Sequence, residues 1–374
     1  VGLDSRALPA FPWDTLAHDA EIARAHPAGL IDLSVGTPVD PTPTVIRQAL
    51  ESGSNSPGYP TTHGTPELRE AVVAWFERRR GVPGLDPAAV LPTLGSKELI
   101  ATLPALLGLG AGDAVVHPEI AYPTYDVGAR LAGAVPVPAD DVEVWPRDGV
   151  RLVWLNSPSN PTGEVRGVEE LSAVVAEARA RGAVVASDEC YAELAWDEPW
   201  ASGGVPSILD ARVNGGDLRG LLAVYSLSKQ SNMAGYRAAF VAGDPELVAA
   251  LLEVRKHAGM IMPGPVQAAM TVALGDDGHV EAQRETYRAR RETLRVALGD
   301  AGYVVDGSQA GLYLWARPPG GQQDCRTTVR RLAERGILVA PGEFYGPAGA
   351  GHVRIALTAT DAQIDEAARR LRMA

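Results

Sequence analysis

Residues 221–237 read LLAVYSLSKQSNMAGYR. The run LLAVY has the length and character of a buried strand, and it stops at two hydroxyls, Ser226 and Ser228, just before Lys229. Ser231 follows, and Arg237 stands eight positions beyond the lysine. Such a segment is either the solvated end of a strand or the seat of an amine meant to react. Comparable apolar runs occur at 114–117 (AVVH), 151–155 (RLVWL), 183–187 (AVVAS) and 238–243 (AAFVAG). Helical stretches such as VEELSAVVAEARARG at 168–182 separate several of them. Strands joined by helices imply crossover connections, so the reading is an α/β fold with a largely parallel sheet.

Upstream, TPELREAVVAWFERRRG reads as a helix capped by Thr65, with Pro66 in its first turn, Arg78 to Arg80 in its last and Gly81 beyond. Leu68, Val72, Trp75 and Phe76 give it an apolar stripe. Past about residue 285 the pattern changes to a long helix (ETYRARRETLRVALGDAG), a strand GLYLWA at 311–316, a helix at 328–336, a strand HVRIAL at 352–357 and a helix from Asp361. That alternation suits a smaller α+β domain. The expected division is a large domain over residues 40–285 and a small one made of 1–39 and 286–374, packed without a long linker.

The 374 residues exceed one minimal core. With 34 basic and 46 acidic side chains the net charge is -12, which argues against a nucleic-acid partner while permitting a local anion pocket. No secretory signal or membrane-length apolar segment is evident, and two cysteines, Cys190 and Cys325, lack disulfide or metal-ligand spacing. A cytoplasmic protein is expected. His63 and His117 belong to no metal-binding constellation, so no metal is expected.

Open parallel sheets place ligands beyond the carboxyl ends of their strands. Five predicted ends or turns carry polar or aromatic groups: Gly95, Ser96 and Lys97 in GSKE; Tyr122 in HPEIAYPTY; Asn156 and Asn160 in NSPSNPTG; Asp188 and Tyr191 in SDECY; and Ser226 to Lys229. Each alone reads most simply as a cap or turn. Together they would make one pocket. GSKE has the makings of a helix N-terminus that holds a compact phosphate, and neither GxGxxG nor GxxxxGK[ST] appears at a suitable place. Asp188 is either an ion-paired structural aspartate or the partner of a protonated ring nitrogen in a heteroaromatic cofactor. Tyr122 could stack on such a ring, and Asn160 and Tyr191 could hydrogen-bond an oxygen on it. Lys229 can condense with an aldehyde only when unprotonated, which burial or a nearby cation would favour.

NPTG at 160–163, the Asp188–Tyr191 pair and SLSKQSNMAGYR at 226–237 together resemble the class I and II aminotransferases, fold-type-I enzymes dependent on pyridoxal phosphate. The resemblance covers almost the whole chain. It implies a three-layer large domain with a mostly parallel seven-stranded sheet and a smaller α+β domain. It assigns Lys229 the covalent bond to the cofactor, Asp188 the pyridine nitrogen, Asn160 and Tyr191 the ring O3′, and Tyr122 the ring face. Ser96, Lys97, Ser226, Ser228 and Arg237 would hold the phosphate. Tyr59, in GYPTTHGTPELR, would reach the phosphate of a second subunit, implying a homodimer with shared sites. Arg354, Gly36 and Asn160 would hold the substrate α-carboxylate, and Trp13 would cross the substrate entrance.

FPWDTLA at 11–17, DLSVGTPVDP at 32–41 and the segment 226–244 are most similar to actinobacterial succinyldiaminopimelate aminotransferases of lysine and diaminopimelate synthesis. That similarity implies glutamate as donor and N-succinyl-2-amino-6-ketopimelate as acceptor. The distal carboxylates would need cationic or amide donors, for which Lys97, Arg24 or a partner arginine are candidates. An aspartate-like or aromatic aminotransferase, or a lyase of the same fold, would share the cofactor residues.

Overall fold

The computed structural model describes residues 8–9, 11–320 and 324–373. Its strands run in chain order as β1 (Ile31–Asp32), β2 (Val90–Leu94), β3 (Ala114–His117), β4 (Val135–Pro138), β5 (Val150–Asn156), β6 (Val184–Asp188), β7 (Leu221–Ser226) and β8 (Ala238–Gly243). Then come β9 (Val304–Asp306), β10 (Tyr313–Arg317), β11 (Ile337–Leu338), β12 (Ala340–Pro341) and β13 (Val353–Ala356).

A seven-stranded sheet has the order β2-β8-β7-β6-β5-β3-β4. Both pairings of β8 are antiparallel, and the remaining four are parallel. The five apolar runs become β3, β5, β6, β7 and β8. The other two strands, VLPTL and VPVP, are the two edges of the sheet. Their prolines lack an N–H and break the apolar signal, and an edge strand is where a missing ladder donor is tolerated.

Successive side chains on a strand face opposite sides, and the core divides accordingly. Val153, Leu155, Val185, Tyr225 and Phe240 pack with Trp75 and Val174 on one face, while Leu152, Trp154, Ala186, Leu222 and Val241 pack with Leu99, Leu103 and Leu251 on the other. The result is three layers, helices on both sides of a sheet. The helix Pro66–Arg80 forms as its sequence dictates: Thr65 accepts from the Leu68 N–H at 3.2 Å, and Gly81 closes it at φ 64°. Trp75 then lies 4.4 Å from the Tyr225 ring, clamping β7 from one side.

A smaller antiparallel sheet, β12-β13-β10-β9, is covered by Leu294, Leu298, Val329, Leu332 and Ile364, and β1 pairs with β11 beside it. The long helix spans Asp277–Asp300 and starts earlier than its apolar pattern suggests, because Asp276 caps it through the Gly278 N–H. It runs through residue 285 and so connects the regions of both sheets. Among the described residues no helix is long and apolar enough to cross a membrane.

Candidate active site

The carboxyl ends of β5 and β6 lie side by side, with Asn156 in register with Asp188. A cavity of about 510 Å³ opens beyond them. It is lined by Ser96, Lys97, Tyr122, Asn160, Asp188, Tyr191, Ser226, Ser228, Lys229 and Arg237, and by Trp13, Gly36 and Arg354. Of the residues assigned to the cofactor by the sequence, Tyr59 does not line the cavity and is 99% exposed in the single chain.

Asp188 is buried, and its carboxylate accepts from the Tyr125 hydroxyl at 3.0 Å and the Cys190 N–H at 3.2 Å. Among the described residues no cation pairs with it, so burial raises its pKa in spite of those bonds. The reading of an ion-paired structural aspartate belongs to its neighbour instead. Glu189 is held by Arg80 at 2.9 Å, with Ser207 and the Ile208 N–H completing its shell.

Asn156 shapes the following loop. Its amide donates to the carbonyls of Pro158 and Asp188, and its oxygen accepts from the Asn160 N–H at 2.7 Å. Asn160 thereby turns back into the cavity, where its Oδ1 accepts from Arg354 at 2.9 Å. Arg354, on β13 and 2% exposed, donates also to the Ser34 carbonyl at 2.7 Å. Its guanidinium lies 3.9 Å from the Tyr313 ring centroid, its Nε has no partner, and no described carboxylate pairs with it. A buried fork in that condition suits a planar anion.

Lys229 follows β7 and donates to the carbonyl of Gly36. Burial lowers its pKa, and Arg354 and Arg237 add to the effect against the opposing pull of Tyr313 and Cys190. The amine is thus shifted toward the neutral, nucleophilic form. At the other end of the cavity Ser96 begins the helix Ser96–Leu106 and Ser226 donates to Ser228 at 2.8 Å. Gly95 has φ 85°, and a Cβ there would lie 2.2 Å from an Arg237 nitrogen. Helix N–H groups, two hydroxyls and an arginine make a cradle for a compact dianion.

Tyr125 and Tyr313 escaped the sequence reading. Tyr125 lies in the first turn of the helix Thr124–Leu131, three residues after Tyr122 in the same stretch HPEIAYPTY, and the two rings meet edge to face with centroids 5.9 Å apart. Tyr313 comes from β10, pairs with β13, and brings its hydroxyl within 3.2 Å of Tyr191. Burial alone would raise its pKa, but Arg354 and Lys229 more than offset it and the net direction is down. Arg24 is exposed on the helix Ala17–Ala25 and does not line the cavity.

The three-layer α/β fold thus gathers into one cavity a lysine, a buried aspartate with no cationic partner among the described residues and a buried arginine with no anionic one. The chain matches the family described as aminotransferase class I and II over residues 28–371 and belongs to it, an enzyme of fold type I whose family implies a pyridoxal phosphate cofactor. It is 58% identical, over 98% of its length and 86% of the other chain, to a probable aminotransferase of Mycobacterium tuberculosis. It is 56% identical, over 98% of its length and 99% of the other, to the 4-dedimethylamino-4-oxo-anhydrotetracycline transaminase of Streptomyces rimosus. Among solved structures it resembles a probable N-succinyldiaminopimelate aminotransferase from Thermus thermophilus, with TM-score 0.85 and 32% identity over 97% of this chain and all of that one.

Proposed function

We propose that this chain is a pyridoxal-phosphate-dependent aminotransferase with glutamate as amino donor, acting as a homodimer with shared sites. The observation that carries it is the set Lys229, Asp188 and Arg354 in one cavity, the last two buried, with no counter-charge to any of the three among the described residues. Asp188 would face the ring nitrogen, Asn160 and Tyr191 the ring oxygen, and Tyr122 the ring. Ser96, Lys97, Ser226, Ser228, Arg237 and Tyr59 of a second copy would hold the phosphate. Bound there, the cofactor supplies an electron sink for the pair left behind when a substrate loses its α-proton.

Arg354 and Gly36 hold the α-carboxylate and so fix the α-carbon beside Lys229. The lysine amine takes the proton from that carbon and returns one to the product side, the work of a general acid and base. Trp13 covers the entrance and excludes water.

For the acceptor, the sequence resemblance indicates N-succinyl-2-amino-6-ketopimelate, which would give N-succinyl-LL-2,6-diaminopimelate and 2-oxoglutarate. The name of the Thermus structure supports it. A second reading, a ring ketone, is favoured by the name and 56% identity of the Streptomyces relative. The test is a visible spectrum of purified protein loaded with pyridoxal phosphate, before and after glutamate. The succinylated keto acid, oxaloacetate and phenylpyruvate are then offered separately. A long-wavelength band lost with glutamate and restored fastest by the succinylated acid establishes both chemistry and acceptor. Absence of any band overturns the role given to Lys229.

A further inference from the structure

The loop that carries Lys229 is held along one face of the long helix Asp277–Asp300. Ser231 Oγ lies 2.8 Å from His279 Nε2, and Asn232 Nδ2 donates to Gln283 Oε1 at 2.7 Å. The Tyr287 hydroxyl donates to Asn232 Oδ1 at 3.4 Å, and further along Arg290 holds both carboxylate oxygens of Asp40, at 2.6 and 2.7 Å. Those helix positions recur every three or four residues, the spacing of a single face. Gln283, Tyr287 and Arg290 are buried.

The chemistry of Asp40 fixes the direction of these bonds. Burial would raise its pKa, but the bonds from Arg290 and Gln283 outweigh that and keep it an ionised acceptor. The Gln283 atom 3.0 Å from it is therefore the Nε2 donor, which leaves Oε1 to accept. Asn232 must then turn its amide nitrogen to Gln283 and its oxygen to Tyr287. That nitrogen also donates to the Pro41 carbonyl at 3.4 Å, and the Thr42 hydroxyl donates to the Asn232 carbonyl at 2.8 Å. No side-chain nitrogen or oxygen of Asn232, Gln283 or Asp40 is buried without a partner. A satisfied network of this kind holds its members to one arrangement.

Asp40, Pro41 and Thr42 closely follow Gly36, whose carbonyl accepts from Lys229. The lysine loop and the Gly36 segment are thus joined twice, at the amine inside the cavity and at Asn232 outside it. Neither Asn232 nor Gln283 lines the cavity. Asn232 has φ 51°, a left-handed conformation that asparagine tolerates, yet that tolerance does not require the bonds of its amide.

We infer that Asn232 is a positioning residue for amino transfer. Through Gln283, Asp40 and Thr42 it sets the Lys229 loop against the Gly36 segment, and so places the substrate α-carbon within reach of the amine. The inference rests on the aminotransferase reading.

The test uses the holoenzyme loaded with pyridoxal phosphate and three variants. Asn232→Gly keeps the left-handed backbone open and deletes the amide; Gln283→Met removes the bridge from Asn232 to Asp40; the third carries both changes. A single turnover is followed by loss of the long-wavelength band over a range of glutamate concentrations. Each single variant should lower the limiting rate between about threefold and a hundredfold, with half-saturating glutamate within about threefold of wild type because Arg354 is untouched. The double variant should be about as slow as the slower single one, since members of one chain of bonds are not additive. Without substrate, the pH at which the band titrates should also move, because burial and the nearness of Tyr313 and Arg354 set the acidity of the Lys229 nitrogen. A smaller loss of rate in folded, cofactor-loaded Asn232→Gly overturns the inference and leaves the residue only its backbone conformation. So does a loss expressed only in half-saturating glutamate, an unmoved titration midpoint, or losses that multiply in the double variant. Should one single variant fail to load cofactor, the rate and midpoint of the other decide. A wild type whose band does not respond to glutamate overturns the aminotransferase reading, and this inference with it.

Discussion

Asp188 and Glu189 are adjacent in sequence and both buried, yet Glu189 is paired with Arg80 and Asp188 is not. In Glu189→Gln the Arg80 guanidinium, 2% exposed, loses its counter-charge, and stability should fall by about 3–5 kcal/mol. Asp188→Asn should behave oppositely in the cofactor-free protein. A carboxyl whose folded pKa is raised keeps a proton that the unfolded chain has released, so the wild type loses stability as pH rises above about 4 and through the raised value. Asp188→Asn should therefore be the more stable form at pH 7, with the gain shrinking as pH falls toward 4. Urea unfolding at a series of pH values checks both variants, and equal losses would remove the distinction. The same asparagine should weaken cofactor retention by roughly tenfold or more, read by absorbance after dialysis. Arg354 lends itself to a kinetic test. Lysine cannot reproduce its fork, so Arg354→Lys should raise the KM for glutamate roughly 10- to 100-fold. An unchanged KM would place the carboxylate elsewhere.

At the scale of elements, the segment after β1 meets β10 at one point. A Cβ on Gly36 would lie 2.1 Å from the Tyr313 hydroxyl oxygen, so only glycine fits beneath it. Gly36→Ala should cost about 1–3 kcal/mol by overpacking, and a second change, Tyr313→Phe, should recover only the part due to the hydroxyl, because the ring carbons Cζ and Cε1 would still lie 2.8 and 2.9 Å from that Cβ. Urea midpoints of the single and double variants decide the matter, because a clash with some other group would leave the double variant as weak as the single. Why Tyr313 went unnoticed is physical. Strand interiors announce themselves as apolar runs, and residues just past a run, such as Asp188 and Lys229, inherit a predictable place beyond the sheet. The proline-bearing edges β2 and β4 carry a broken signal. Tyr313 reaches the cavity through an antiparallel pairing with β13, which no local pattern encodes.

At the scale of the molecule, one residue of the predicted site lies away from the cavity of the chain that carries it. Tyr59 lies in the connection between the helices Thr44–Ser52 and Pro66–Arg80 and is 99% exposed, away from its own cavity. If it completes the phosphate cradle of a second copy, a symmetric dimer carries two composite sites. Tyr59→Phe should then weaken cofactor affinity roughly tenfold, the loss of one hydrogen bond to a charged group. Mixing variants separates this from a structural effect. Lys229→Ala is expected to be inactive in its own cavity but still presents an intact Tyr59. Coexpressed equally with Tyr59→Phe, half of the dimers are mixed, and each mixed dimer has one site with both wild-type residues. Activity at limiting cofactor should reach roughly a quarter of wild type above the residual of Tyr59→Phe dimers. If Tyr59 served its own cavity, no mixed dimer would contain an intact site and coexpression would add nothing. Size-exclusion chromatography of the same preparations establishes that both variants still dimerise, so that absence of rescue counts against the shared site and not against assembly.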